Sequence, residues 1–205
     1  MIILASSSPR RTELLTAAGI GHRVITEDTL ETVSGTPAAI VQENARRKAS
    51  AVAEAIAWGK YNDNDDLKGL PVLGADTIVA LEQNGERKAV RIFGKPKDEI
   101  EAREMLRALS EKVHSVYTGI CFLKGGQEFI AVEKTSVHFL AVSREALDRY
   151  IASGEWSGKA GAYAVQGRAM AFVDRIEGSA ANVIGLPVHS VVALAEKNGI
   201  NLYGD

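Results

Sequence analysis

The stretch Met1-Ile2-Ile3-Leu4-Ala5-Ser6-Ser7-Ser8-Pro9-Arg10-Arg11 is the key to the chain. Residues 1–5 are an unbroken apolar run, which predicts a short buried strand. Three serines break it. Ser8-Pro9 then reads as a helix start, with a hydroxyl at the N-cap and a proline at the first helical position. The helix beyond carries Leu14, Leu15 and Ala18 at core spacing, and Gly19 sits where a C-terminal cap belongs. Arg10 and Arg11 fall in the first turn, where unpaired N–H groups already carry partial positive charge and acidic residues are preferred. Two cations there make sense if an anion arrives, because N–H groups, serine hydroxyls and guanidinium forks together form a phosphate cradle. Two solvated arginines on a surface helix fit the spacing equally well, since the mismatch costs only about 0.3–1 kcal/mol.

Outward from this stretch, residues 23–26 read as a second strand. Residues 27–35 are polar and aperiodic, which predicts a loop, and they carry Glu27, Asp28 and Glu31. Thr36-Pro37 repeats the hydroxyl–proline signal and opens a helix to about residue 58, with an apolar stripe through Ile40, Val41, Ala45, Ala49, Val52 and Ile56. Lys48 lies at the edge of that inward face, four residues after Asn44. It can snorkel to solvent or aim its ammonium at a cleft, and the spacing allows both. Residues 60–69 are an acidic, asparagine-rich surface loop. Residues 71–81 form a β-branched strand with Asp76 at its centre, on the same face as Val72, Gly74 and Ile78. A carboxylate among apolar positions is costly without a cation or several hydrogen bonds, so Asp76 is a strong functional candidate. The competing reading is an aspartate capping a turn at the strand's exposed end.

Asn84-Gly85 predicts a hairpin turn, with a return strand over residues 90–93. Gly94-Lys95-Pro96 ends that strand with a cation beside a rigid bend. A helix follows from Asp98 to about residue 110, buried through Ile100, Met105, Leu106 and Leu109. Residues 113–123 and 127–142 form a long hairpin around Gly125-Gly126. Ser143 caps a helix ending at Gly154, residues 158–167 are glycine-rich, residues 169–176 read as a strand, and Pro187 interrupts the last helical region. Helices alternate with strands but long hairpins are also present, which predicts an α/β fold on a mixed sheet. With no repeat and no long linker, residues 1–205 are expected to be one domain.

Composition narrows the function. A formal charge of −2 gives no support to nucleic-acid binding, so any polyanion site must be local. The single cysteine, Cys121, excludes an intrachain disulfide and fits a reducing compartment. No segment approaches the length of a membrane span and no export signal is visible, so the expected location is cytoplasmic. His22, His114, His138 and His189 make no metal-ligand spacing, and no G-x-S-x-G elbow is present. Gly154-Glu155-Trp156-Ser157-Gly158-Lys159-Ala160 superficially resembles a P-loop, but it is one residue short and has Ala160 where Ser or Thr should hold magnesium. What remains is the cations Arg10, Arg11, Lys48 and Lys95 with the carboxylates Glu31 and Asp76. That combination suits magnesium-dependent chemistry on a phosphorylated substrate.

Taken in order, Ser6-Ser7-Ser8-Pro9-Arg10-Arg11 with Glu13-Leu14-Leu15, Arg47-Lys48-Ala49, Gly74-Ala75-Asp76-Thr77, Gly94-Lys95-Pro96, residues 158–163 with Gln166-Gly167, and residues 182–187 resemble the Maf family. The family is also known as septum-formation inhibitors, and its members are nucleoside triphosphate pyrophosphatases. The resemblance covers nearly the whole chain. It implies an inosine triphosphatase-like fold, an elongated mixed sheet with flanking helices forming two lobes around a cleft. It also implies Asp76 as general base and metal ligand, with Glu31 as the second acidic group. Glu27 and Asp28 remain alternatives to Glu31. Arg11, Lys48 and Lys95 are implied to hold the triphosphate, with a contribution from Ser8. Arg10, Thr77 and Gln166 match the residues that mark the branch acting on dTTP and UTP rather than 7-methyl-GTP. A divalent cation (magnesium, manganese or cobalt) and a homodimer are implied as well. Activity on another nucleotide, such as a purine triphosphate, and a non-enzymatic role in cell division are the rival readings.

Overall fold

The computed structural model describes residues 1–61, 65–83 and 89–203. Its elements are β1 (Ile2–Ala5), α1 (Pro9–Ala17), β2 (His22–Val24), α2 (Pro37–Ala57), β3 (Val72–Gln83), β4 (Ala89–Phe93), α3 (Glu99–Leu109), β5 (Val113–Lys124), β6 (Gln127–Phe139), α4 (Arg144–Ala152), β7 (Val173–Glu177), α5 (Ala180–Ile184) and α6 (Val188–Lys197). The strands run in the order β2-β1-β3-β5-β6-β7, with β4 paired to β3. β1 is parallel to β2 and β3, whereas β4 is antiparallel to β3 and β7 to β6, so the sheet is mixed. The expected Asn84-Gly85 turn lies outside the described residues, as do residues 62–64 of the acidic loop.

The chain divides into two compact units, and β3, β5 and β6 contribute a segment to each. The first comprises Met1–Asp76, Thr118–Glu133 and Gly185–Asp205. Its sheet segment is buried on both faces, as a parallel strand pair requires. Ile2 and Leu4 join Leu15, Leu73, Phe122 and Val191 on one side, while Ile3 and Ala5 join Ala45, Ala49, Val52 and Cys121 on the other. Gly19, at φ +71°, lets the chain leave α1 so that the Ile20 N–H bonds back to Leu15 O at 2.9 Å. α2 starts as its sequence predicts, with the Thr36 hydroxyl accepting from Ala39 N.

α2 lies unusually close to the strands beneath it. A Cβ placed on Gly74 would stand 2.1 Å from Ala45 O, and one on Gly119 would stand 2.3 Å from Val41 O. Only hydrogen fits at these two positions.

The second unit comprises Thr77–Tyr117 and Lys134–Ile184. Its core gathers Val79, Leu81, Phe93, Met105, Leu106, Leu109, Val137, Leu147, Tyr150 and Phe172. α3 is capped by Asp98, whose carboxylate accepts from Glu101 N at 2.8 Å, and α4 by Ser143. Two expectations fail here. Ile100 is 72% exposed, because the inward stripe of α3 runs through Ala102, Met105, Leu106 and Leu109, and Ile100 is two residues out of phase with it. Residues 168–172 form a 3-10 turn, not the start of a strand, and β7 begins only at Val173. The turn puts Ala169 and Phe172, three residues apart, into the same core.

His114 is buried in this unit. Its Nε2 lies 2.9 Å from Tyr163 Oη, its ring meets Phe139 edge-on, and its Nδ1 has no hydrogen-bond partner among the described residues. Burial, with His138 nearby, holds this imidazole at about 4, below its ordinary 6.5.

Gly74→Ala must push α2 off the sheet, and it should lower unfolding free energy by about 2–3 kcal/mol or more in urea titrations. For His114, the unfolded chain takes a proton near pH 6.5 and the folded chain only near 4, so stability should fall as pH drops through that window. His114→Gln should flatten that part of the stability–pH curve.

Candidate active site

The centre of the site is Asp76, the last residue of the first unit, in mid-strand and 7% exposed. Alternation along β3 carries Val72, Gly74 and Asp76 to the face covered by α2. Both carboxylate oxygens have donors: Lys48 Nζ lies 2.6 Å from Oδ1, and Asn44 Nδ2 lies 3.0 Å from Oδ2. The strand's unfavourable carboxylate is thereby matched by a cation and an amide, as its burial demands. A turn-capping role at a strand end is not what the structure shows.

Asn44 and Lys48 are one turn apart on α2, which brings both over the same point of β3. Lys48 is turned inward. Its ammonium also pairs with Glu31 Oε1 at 2.6 Å, so two carboxylates meet on one nitrogen. Glu31 is 49% exposed and belongs to residues 26–35, which have no regular secondary structure. That segment is fastened to α2 by Arg47 Nη1 donating to Leu30 O at 2.8 Å and by Thr32 N donating to Asn44 Oδ1 at 2.7 Å. Of the three acids the sequence offered, Glu31 therefore faces Lys48. Glu27 is instead engaged 2.7 Å from Lys60 Nζ and from Tyr61 Oη, and these two donors lower its pKa.

Arg11 is 8% exposed. Its Nε donates to Gly185 O at 2.9 Å, and its Nη1 donates to Ser6 Oγ at 2.8 Å and Ala75 O at 2.9 Å. Burial brings the guanidinium down to about 10 against the pull of nearby Asp76 and Glu31, which still leaves it charged at neutral pH. The carbonyl it holds belongs to the peptide leading into Asp76. Ser8 occupies the N-cap position of α1, but its side chain makes no capping bond; the hydroxyl in use is that of Ser6, which accepts from Ser8 N and from Arg11. Arg10 is half-buried in the first turn of α1.

The other sequence candidates belong to the second unit. Thr77 follows Asp76 in β3 and is half-buried. Lys95 is exposed in the segment after β4, where Gly94 O accepts from Gly161 N at 3.0 Å. Gln166 is exposed in a turn ahead of the 3-10 segment. In the first unit, Glu31, Lys48 and Asp76 form one hydrogen-bonded group beside Arg11. Asn44 and Ser6 belong to that group and were not singled out by sequence. The signal for Asn44 was an amide inside the apolar stripe of α2.

Among the described residues no group of three or more His, Cys, Asp or Glu is arranged to hold a metal ion. Glu31 and Asp76 are a two-carboxylate, all-oxygen pair converging on one positive charge. Such a pair fits a small hard cation, which takes one or two protein carboxylates and fills its remaining positions with water and substrate phosphate. Among the described residues, no helix is long and apolar enough to cross a membrane.

The family model for Maf-like proteins matches residues 1–198 of this chain. A protein of Pelotomaculum thermopropionicum named dTTP/UTP pyrophosphatase is 43% identical over 205 residues, covering 98% of both chains. One of the same name from Bacillus cereus is 44% identical over 193 residues, covering 93% of this chain and 92% of the relative. A Bacillus anthracis protein, again so named, is 42% identical over 193 residues, with the same coverage of 93% and 92%. With the match spanning almost every element described above, the chain belongs to the Maf family.

Proposed function

We propose that this chain is a nucleoside triphosphate pyrophosphatase that hydrolyses dTTP and UTP to the nucleoside monophosphate and pyrophosphate. The observation that carries the reading is the Glu31–Lys48–Asp76 group, in which an ammonium from α2 bridges a carboxylate on the buried strand β3 and one on the segment before α2, in a Maf-family chain. The substrate pair comes from the names of its relatives.

In this reading a water attacks the α-phosphorus, the bond from that phosphorus to the bridging oxygen breaks, and pyrophosphate leaves. Asp76 takes the proton that the water gives up. Lys48, 2.6 Å from Asp76, is within reach of the charge that builds on the phosphate oxygens. Arg11, Lys48 and Lys95 are assigned to the triphosphate and Ser8 to an auxiliary hydroxyl contact, all by resemblance. A divalent cation held by Glu31 and Asp76 would supply Lewis-acid charge at the phosphate oxygens. Arg11 also braces the strand: it is bonded to Ala75 O and Ser6 Oγ and so fixes the backbone from which Asp76 projects. Arg10, Thr77 and Gln166 are assigned to base choice, which rests on hydrogen bonds to the pyrimidine edge. A wrong base leaves a buried polar group unpaired, at about 1–3 kcal/mol.

The test is pyrophosphate release from a panel of nucleoside triphosphates with magnesium, manganese or cobalt. dTTP and UTP should lead, and Asp76→Asn should lose on the order of 10²–10⁴-fold or more in turnover while still retaining nucleotide. A purine nucleotide or 7-methyl-GTP in the lead would overturn the roles given to Arg10, Thr77 and Gln166. Absence of turnover with every metal would favour the non-enzymatic reading.

A further inference from the structure

Asn44 is 2% exposed in the otherwise apolar inner stripe of α2, between Val41 and Ala45. Its side-chain oxygen and its amide nitrogen are both engaged. Oδ1 accepts from Thr32 N at 2.7 Å, and Nδ2 donates to Thr32 O at 3.1 Å and to Asp76 Oδ2 at 3.0 Å. The amide thus closes a two-bond ring with both main-chain groups of one residue and spends its remaining hydrogen on the carboxylate. The opposite orientation of the amide would set Oδ1 against a carboxylate and an N–H against an N–H. The surroundings therefore fix a single arrangement.

Thr32 is joined to Glu31 by one peptide bond. Among the described residues, the attachment of Glu31 besides this ring and Arg47 on Leu30 O is an ion pair on a half-exposed carboxylate, which is a weak tether. That tether also uses Lys48, a group the proposed reaction needs for phosphate charge. We propose that Asn44 is a positioning residue: it holds the segment bearing Glu31 in register with Asp76, so that the two carboxylates converge whether or not Lys48 lies between them. This rests on the pyrophosphatase reading for its purpose, though its geometry is independent of substrate.

Asn44→Ala should be compared with the wild-type chain in three measurements: Mn²⁺ binding by electron paramagnetic resonance, amide hydrogen exchange across residues 26–35, and steady-state kinetics with dTTP. Asn44→Ser, which removes less volume, replaces the alanine variant if that does not fold. The expected result is a protected Thr32 amide in the wild-type chain that exchanges freely in the variant. Mn²⁺ affinity should fall about 10–100-fold, the loss typical of groups that orient metal ligands. Turnover should fall with KM for dTTP nearly unchanged. A variant that takes up Mn²⁺ as tightly as the wild type, in a wild-type chain that is active, overturns the positioning role and leaves the pyrophosphatase reading standing. A wild-type chain that neither binds Mn²⁺ nor releases pyrophosphate overturns both.

Discussion

The site depends on how closely α2 approaches the sheet. Gly74 and Gly119 give the helix room by having no side chain, and Ala45 and Ala49 keep its facing surface small. Asp76 stands two residues beyond Gly74 on the same face of the strand. An asparagine is short, and it reaches Asp76 only because the backbones are this near. The 3.0 Å bond from Asn44 would be lost if the helix moved out by the width of a methyl group. Packing and chemistry are therefore one problem here: the residues that allow close approach do no chemistry, and those that do chemistry cannot meet without them.

Asp76 is constrained from two directions. Its side chain is held by α2, while its preceding carbonyl, that of Ala75, is held by Arg11 from α1. Arg11 in turn reaches Gly185 O, in the turn ahead of α6, and Ser6 at the end of β1. One buried guanidinium thus joins three chain segments at the strand that carries Asp76. Such a group tolerates burial because it is a fork of rigid donors, each of which can meet a fixed oxygen. It also bears on the cationic first turn of α1. One of the two arginines there folds inward onto protein oxygens, so part of what reads as a vacancy for an anion is satisfied by the fold itself.

Much of this was readable from the chain. The apolar run at residues 1–5, the helix starts at Pro9 and Pro37, and Asp76 among β-branched residues each follow from short-range rules, and the structure obeys them except that Met1 lies outside β1 and the Ser8 hydroxyl makes no capping bond. The identity of the acid opposite Asp76 was not readable in that way, because residues 26–35 have no period and Glu27, Asp28 and Glu31 differ only by where the loop is pinned. The pins are Asn44 on Thr32 and Arg47 on Leu30 O, and in a sequence they look like one amide and one arginine on a helix. Ser6 and Ser8 present the same difficulty. Both hydroxyls are near the start of α1, and which one is used is decided by Arg11 turning inward. Ile100 failed for a simpler reason: an apolar residue near a stripe is not on it.

The arrangement of charges sets one further condition on the chemistry. Lys48 bridges two carboxylates at 2.6 Å each, one positive charge against two negative, and a divalent cation using those carboxylates would have to compete with the same ammonium. Two positive charges cannot share that space at low cost. In the proposed reaction a triphosphate would resolve the conflict by offering the ammonium new anionic partners. Lysine suits this exchange better than arginine, being a point charge on a flexible stem without a fixed fork. The rigid work falls accordingly to the groups that need not move, Arg11 beneath the strand and Asn44 beside it, while the one cation between the carboxylates is the one whose side chain can swing.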